Sequence, residues 1–251
     1  MPAETTPGPW RPSLRRSVRL LDDFRYEQPD PDRFYRALAA DSVGQLATYA
    51  DLDGAALLDV GGGPGYFRDA FQAAGATYWA LDADVGELAG LGEIAAGTVV
   101  GSGLQLPFRD DCLDVCYSSN VLEHVPDPWR MAEEMVRVTR PGGLVFLSCT
   151  VWWGPWGGHE TAPWHYLGGQ YARRRYRRVH GHEPKNKYGE SLFAVTVAAG
   201  TRWARRRSAA PDVDLVALLP RYHPWWARWV VRVPVLRELV TWNLVIVLRK
   251  R

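Results

Sequence analysis

Asp59, Gly61, Gly63 and Gly65 stand at alternate positions where the apolar run Leu57 to Val60 breaks off, and together they could hold a small ligand against bare backbone. Glycines leave no side chain between the amides and a ligand, and the helix-compatible stretch from Tyr66 to Ala74 adds the positive end of a helix dipole. Asp82 follows Asp59 by 23 residues and closes a strand-like run. A carboxylate there can accept hydrogen bonds from both hydroxyls of a ribose, with Asp84 as its rival. His124 supplies a different chemistry: imidazole titrates near neutrality and could take a proton from a hydroxyl or amine, or could simply anchor the following helix. His159, Glu160, His165 and Tyr166 are rival acid–base groups.

The spacing discriminates among ligands. A dinucleotide fingerprint needs G-x-G-x-x-G, whereas Tyr66 stands where the third glycine would fall. A phosphate-binding P-loop needs Gly-Lys-Ser/Thr, and no lysine precedes Lys185. His180, His182 and Glu183 read H-x-H-E without a further ligand set, so the expectation is no metal.

The elements that must position these residues alternate strand and helix. Strands are expected at Ala55 to Val60, Thr77 to Leu81, Thr98 to Gly101, Leu113 to Ser119, Leu144 to Thr150, Asp214 to Leu219 and Trp242 to Leu248. Helices are expected at Trp129 to Thr139 and from about Thr196 to Arg207. This is an α/β pattern with a sheet covered on both faces. Two helices precede it. Leu14 to Tyr26 carries Leu14, Val18, Leu21 and Phe24 at helical spacing with arginines between, and a second helix runs from Asp32 to Tyr49. Val151 to Tyr188 has no sustained period and is rich in tryptophan, which suits a functional lid. Trp152, Trp153, Trp156 and Trp164 could stack on a sugar or an aromatic ring or line an acyl channel. Arg173 to Arg175, Arg177 and Arg178 read as a solvated face or a receiver of anionic groups. His223 to Val240 reads as a tryptophan-rich helix too broken by charge to span a bilayer, leaving sheet packing or interfacial contact.

With 251 residues, 47% hydrophobic and 23% charged, the chain fits one globular domain, and a net charge of +2 does not point to nucleic acid. Cys112, Cys116 and Cys149 form no C-x-x-C pair and read as buried thiols of a reducing cytoplasm.

The D-x-G-x-G-x-G run from Asp59 to Gly65, followed by G-S-G-L-Q-L-P-F from Gly101 and L-E-H at Leu122 to His124, resembles the class I S-adenosylmethionine-dependent methyltransferases. The closest resemblance is to the small-molecule branch whose third-strand loop reads Gly-Asp-Ala-x-x-Leu-Pro-Phe. It is close from Leu52 to Val151 and looser elsewhere, and the chain as a whole resembles uncharacterised actinobacterial methyltransferases. The resemblance implies a Rossmann-like, seven-stranded, mostly parallel sheet with helices on both faces, its last strand antiparallel between the fifth and sixth. It implies a flexible tail over 1–13 and one domain over 14–251: cap helices at 14–50, a cofactor core at 52–151, an aromatic lid insertion after strand 5 at 152–188 and the rest of the sheet at 189–251.

For the site, the resemblance implies S-adenosylmethionine held by Asp59, Gly61, Gly62, Gly63, Gly65, Asp82, Ala83, Ser102, Gly103, Leu104 and Asn120. Ser102 departs from the aspartate usual there, and a neutral hydroxyl should receive the adenine amino group more weakly. Tyr26, Phe34 and Tyr35 are candidate lid aromatics, and Trp152, Trp153, Trp156, Trp164 and Tyr166 candidate acceptor contacts. The expected reaction is methyl transfer to an oxygen of a small molecule, glycan or lipid in the cytoplasm, with peripheral membrane contact allowed by the basic runs. Two other classes stay open: an S-adenosylmethionine-binding regulator without catalysis, and a methyltransferase of RNA or protein.

Overall fold

A computed structural model describes residues 10–27, 29–90 and 94–251. Most of the expected tail, residues 1–9, lies outside the described residues. In chain order the elements are α1 (Leu14–Phe24), α2 (Pro31–Leu46), β1 (Ala56–Val60), α3 (Arg68–Ala73), β2 (Thr77–Asp82), α4 (Val85–Leu88), β3 (Thr98–Val100), β4 (Leu113–Ser119), α5 (Pro128–Val138), β5 (Thr139–Thr150), α6 (Gly169–His180), α7 (Val197–Ser208), β6 (Val213–Pro220), α8 (Leu236–Val240) and β7 (Asn243–Lys250).

The seven strands form one sheet in the order β3-β2-β1-β4-β5-β7-β6. β1 to β5 pair in parallel, while β7 runs antiparallel to both β5 and β6. Because the chain moves outward from β1 through β2 to β3 and then returns beside β1 with β4, strand order reverses between β1 and β4. In open α/β sheets that reversal opens a crevice beyond the strand C-termini. Alternation along the strands sends Leu57, Tyr117 and Phe146 to the face under α2 and α3, and Leu58, Cys116 and Val145 to the face under α5 and α7.

Local signals explain the helix starts. Two Asp-Pro pairs are N-caps with proline in the first turn: Asp30 accepts from the Arg33 amide and Asp127 from the Arg130 amide. Thr196 caps α7 through the Ala199 amide, and Glu238 accepts from the amides of Val197 and Ala198 at 2.9 and 2.7 Å.

Three expectations change. Of the apolar stripe of α1 only Phe24 packs inward, against Phe34 and Trp156, because Arg16, Leu20 and Asp23 form the buried face. Arg16 docks the helix through a two-pronged pair with Asp41 on α2, at 2.6 Å for both contacts, and this leaves Leu14, Val18 and Leu21 exposed. The stretch after His223 is not one helix. A tight 3-10 segment at Trp225–Arg232 ends before Pro234, and Val235 takes φ +65° before the short α8 begins. Cys112 is half-buried rather than buried; Cys116 and Cys149 are buried, and burial pushes both thiols well up.

Under the crevice lies a residue with no local sequence signal, the fully buried Arg221. Its guanidinium donates to the hydroxyls of Ser119 and Ser148 at 2.7 Å, to Ser42 at 2.7 Å and to Tyr117 at 3.3 Å. One planar cation thus ties the ends of β4 and β5 to α2 and stiffens the crevice floor.

Candidate functional site

The crevice has one wall built by the glycine turn. Gly61, Gly63 and Gly65 all take positive φ, at +79°, +49° and +90°, and the amides of Gly61 and Gly62 are taken by the Leu81 carbonyl. A Cβ on Gly61 would lie 2.3 Å from a methyl of Val121, so the turn and the segment after β4 meet at that glycine. A Cβ on Gly63 would meet nothing within 4 Å, so this backbone faces open space in which a ligand can lie.

Asp82 stands one residue past the β1 register, beside that opening. One carboxylate oxygen accepts from the Gly63 amide at 3.1 Å and the other from the Asp84 amide at 3.0 Å. Each oxygen keeps a lone pair, so the carboxylate is aimed and still able to take two hydroxyls. Asp84, the rival, caps α4 by accepting from Gly86 and Glu87. Asp59 lies beneath the loop: it is buried and accepts from the Tyr78 hydroxyl at 2.7 Å. Burial is the main reason its carboxyl rises to about 7; Asp82 adds to the rise, while Tyr78 and Arg68 oppose it.

Across the crevice Ser102 is exposed and accepts from the Leu104 amide at 3.2 Å, with Gly103 and Leu104 half-buried beside it. Ala83 is exposed at the mouth, and Gly62 sits over Asp59 and Tyr78. Asn120, at φ +58°, ends β4 and accepts from Asn243 at 2.6 Å. The two aimed oxygens of Asp82 beside the open face of Gly63 suit a ligand with vicinal hydroxyls.

The aromatic expectations divide. Tyr35 stacks on Tyr66 at 4.6 Å, so α2 closes onto the glycine turn, and Phe34 is buried behind it. Tyr26 instead lies under the Arg33 guanidinium. Trp156 packs between Phe24 and Trp242 at 5.3 and 4.5 Å, joining the insertion to α1 over the crevice. Trp152 is buried against His165 and Tyr188, and Trp153 stacks with Tyr166. Trp164 lies under Arg175 on α6, apart from Trp156. The five residues therefore do not line one wall. An ion pair of 3.3 Å between Lys185 and Glu87 ties the far end of the insertion to α4 beside the Asp82 loop.

The histidines divide too. His165 is fully buried inside the insertion, where Nε2 faces the Gly154 carbonyl at 3.2 Å and burial pushes its pKa down. His124 and His159 come together, ring centroids 5.1 Å apart. Sequence reasoning missed Glu27, which burial and then Glu160 push up, with Lys185 opposing. It also passed over Glu123, which lies in the turn after β4 with its side chain buried against the end of β5, where it accepts from the Thr150 amide. Neither has a signal beyond being an acid in a loop. In the basic run, Glu183 takes Arg173 and Arg177 and Glu190 takes Arg173, which leaves Arg174, Arg175 and Arg178 lining a shallow recess with Tyr171.

A family model described as a methyltransferase domain matches residues 58–147. An uncharacterised methyltransferase of Mycobacterium tuberculosis is 55% identical over 248 residues, 95% of this chain and 96% of that protein. One from Mycobacterium marinum is 55% identical over 251 residues, covering 96% of each. Among solved structures, an S-adenosylmethionine-dependent methyltransferase from Mesorhizobium loti is similar with a TM-score of 0.57 at 20% identity, over 84% of this chain and 97% of that one. A Haloferax volcanii putative methyltransferase, solved with the Trm112 activator, gives a TM-score of 0.55 at 17% identity over 93% and 96%. These last two likenesses concern the fold.

Proposed function

The chain belongs to the methyltransferases, and from that premise we propose that it moves a methyl group from S-adenosylmethionine to an oxygen of a lipid or lipid-linked glycan reached at a membrane surface. The observation that carries the donor half is the open face of Gly63 beside the two aimed oxygens of Asp82. S-adenosylmethionine brings a methyl already activated by a sulfonium, so this chain needs only to align an acceptor, exclude water and take a proton. In this reading Asp82 takes the ribose hydroxyls, the glycine turn takes the amino-acid end, and Ser102, Gly103 and Leu104 border the adenine. The Tyr35–Tyr66 stack and the Phe24–Trp156 contact keep water out. In the metal-free protein His124 is the acceptor-side base. Its Nδ1 donates to the Ser191 carbonyl at 2.7 Å, since a carbonyl can only accept, and that fixes the lone pair on Nε2.

The acceptor class rests on the exposed apolar face. Trp225, Trp226 and Trp229 are 69%, 54% and 53% exposed, and the Trp225 amide donates to the Pro12 carbonyl, which sets them beside the exposed stripe of α1. Arg15 and Arg19 flank that stripe, and tryptophan with arginine is the composition of a membrane–water interface. This face adjoins the crevice: Trp225 follows His223, which packs on Trp242, the partner of Trp156. No helix among the described residues is long and apolar enough to cross a membrane, so the contact is peripheral.

Two measurements test this. Calorimetry should give saturable S-adenosylmethionine binding that weakens at least about tenfold in Asp82→Ala, given the ~1.5–3 kcal/mol typical of one hydrogen bond to a charged group. Absence of binding by the wild-type chain overturns the donor half. In sedimentation with phosphatidylglycerol vesicles the wild-type chain should partition to lipid. The triple change of Trp225, Trp226 and Trp229 to serine should lose at least about tenfold in partitioning. Equal partitioning of the two proteins sinks the acceptor half.

A further inference from the structure

We propose that Glu123, His124 and His159 form a binding site for a divalent transition-metal cation beside the acceptor crevice. One donor atom from each residue lies within 4.8 Å of those of the other two. The inference rests on these three side chains and goes beyond methyl transfer.

Glu123 and His124 are already held as metal ligands are held, with one polar atom fixed by a neighbour and another left free. Glu123 is 1% exposed; its Oε1 accepts from the Thr150 amide at 2.9 Å, while Oε2 is buried with no partner. His124 is oriented by its Nδ1 contact to Ser191, which leaves Nε2 free. His159 Nε2 is also buried with no partner. An unpaired carboxylate oxygen and an unpaired ring nitrogen in the same buried space are costly to leave unsatisfied. A cation satisfies both and neutralises the carboxylate.

The donor set selects the ion. Two imidazoles and one carboxylate suit zinc or a similar first-row cation, whereas magnesium and calcium take oxygen ligands. Three protein ligands leave at least one coordination position for water or an acceptor oxygen. The place is apt, because Val121, two residues before Glu123, touches the glycine turn at Gly61. The expectation of no metal rests on the H-x-H-E cluster, which is a different one, and its Glu183 is taken up by arginines.

Cobalt and zinc titrations of chelator-treated, dialysed full-length protein test the site without reference to methyl transfer. The expected result is one equivalent of Co2+ bound with a visible d–d absorption, displaced by Zn2+ and insensitive to excess Mg2+. His159→Asn removes the ring while asparagine tolerates the φ of +47° at this position, so it should fold and bind Co2+ at least about tenfold more weakly. Glu123→Gln should do the same; if it fails to fold, His159→Asn decides alone. Two outcomes overturn the site: no saturable Co2+ binding tighter than ~100 µM, or equal affinity in His159→Asn, which would put the bound ion elsewhere. S-adenosylmethionine calorimetry on the same samples reads the donor site separately, so one site can fail without the other.

Discussion

Gly61→Ala is expected to cost about 3 kcal/mol of folding stability or more, and Gly63→Ala only about 1 kcal/mol, although both glycines belong to one turn. At both positions an alanine must hold a left-handed backbone, which costs about 1–2 kcal/mol for a residue with a Cβ. At Gly61 the new methyl also meets Val121 at 2.3 and 2.6 Å, closer than real Cβ atoms pack, whereas at Gly63 it meets no protein atom within 4 Å. Relieving that overlap moves the turn or the segment after β4, and overpacking of this kind typically costs about 1–3 kcal/mol more. Ligand binding should show the reverse order of usefulness. Gly63→Ala keeps its fold but puts a methyl where the donor would lie, so calorimetry on the folded variant should show at least about a tenfold loss of S-adenosylmethionine affinity. Urea unfolding of both variants checks the stability difference. A Val121→Ala change in the Gly61→Ala background should restore about 1 kcal/mol or more, since the two side chains share one contact. Equal stability losses at the two glycines would refute the packing account, and full affinity in Gly63→Ala would take the ligand off that face of the loop.

Much of this arrangement was legible because it depends on local chemistry. A strand that ends in glycines, an acid closing the next strand and prolines just inside helix starts each state their structure within a few residues. Strand edges accordingly fell within a residue or two of expectation, except at β5, whose start at Thr139 takes in the Arg-Pro-Gly-Gly segment across a register shift. What was illegible depends on partners distant in the chain. The stripe of Leu14, Val18 and Leu21 has the spacing of a buried face, yet a single ion pair from Arg16 to Asp41 turns it outward. Nothing near Arg221 announces that four hydroxyls from three elements will converge on it. The Leu-Glu-His segment was read for its histidine alone, because the residue that gives its glutamate a second meaning, His159, arrives from an insertion without periodicity. The tryptophans of that insertion were read as one group, whereas 3-10 turns at His159–Thr161 and Trp164–Leu167 send them to different faces.

The stability of this protein should also carry a pH signature from Asp59, read as the difference between the wild-type chain and Asp59→Asn. Burial holds the folded carboxyl near 7 against about 3.8 for the unfolded chain, so the folded state binds the extra proton between those values. Stability from this group is fully present below the unfolded value and is lost as pH rises through 7, by on the order of 4 kcal/mol for a rise of that size. Asparagine keeps an acceptor for the Tyr78 hydroxyl and cannot ionise, so at pH 8 the variant should gain on the wild type by that order relative to pH 4. A comparison within the wild type alone would mislead. His159 is depressed to about 4, and a histidine held neutral by burial loses stability in the opposite direction, as pH falls from its unfolded value near 6.5. The two contributions oppose each other across most of the same window, so the wild-type profile understates the slope of either group. The histidine part is common to both proteins in the difference and cancels. A gap between wild type and Asp59→Asn that stays constant from pH 4 to pH 8 would mean the carboxylate is ionised at no cost beneath the loop. Asp59 would then be available, as a charge, to the ligand above it.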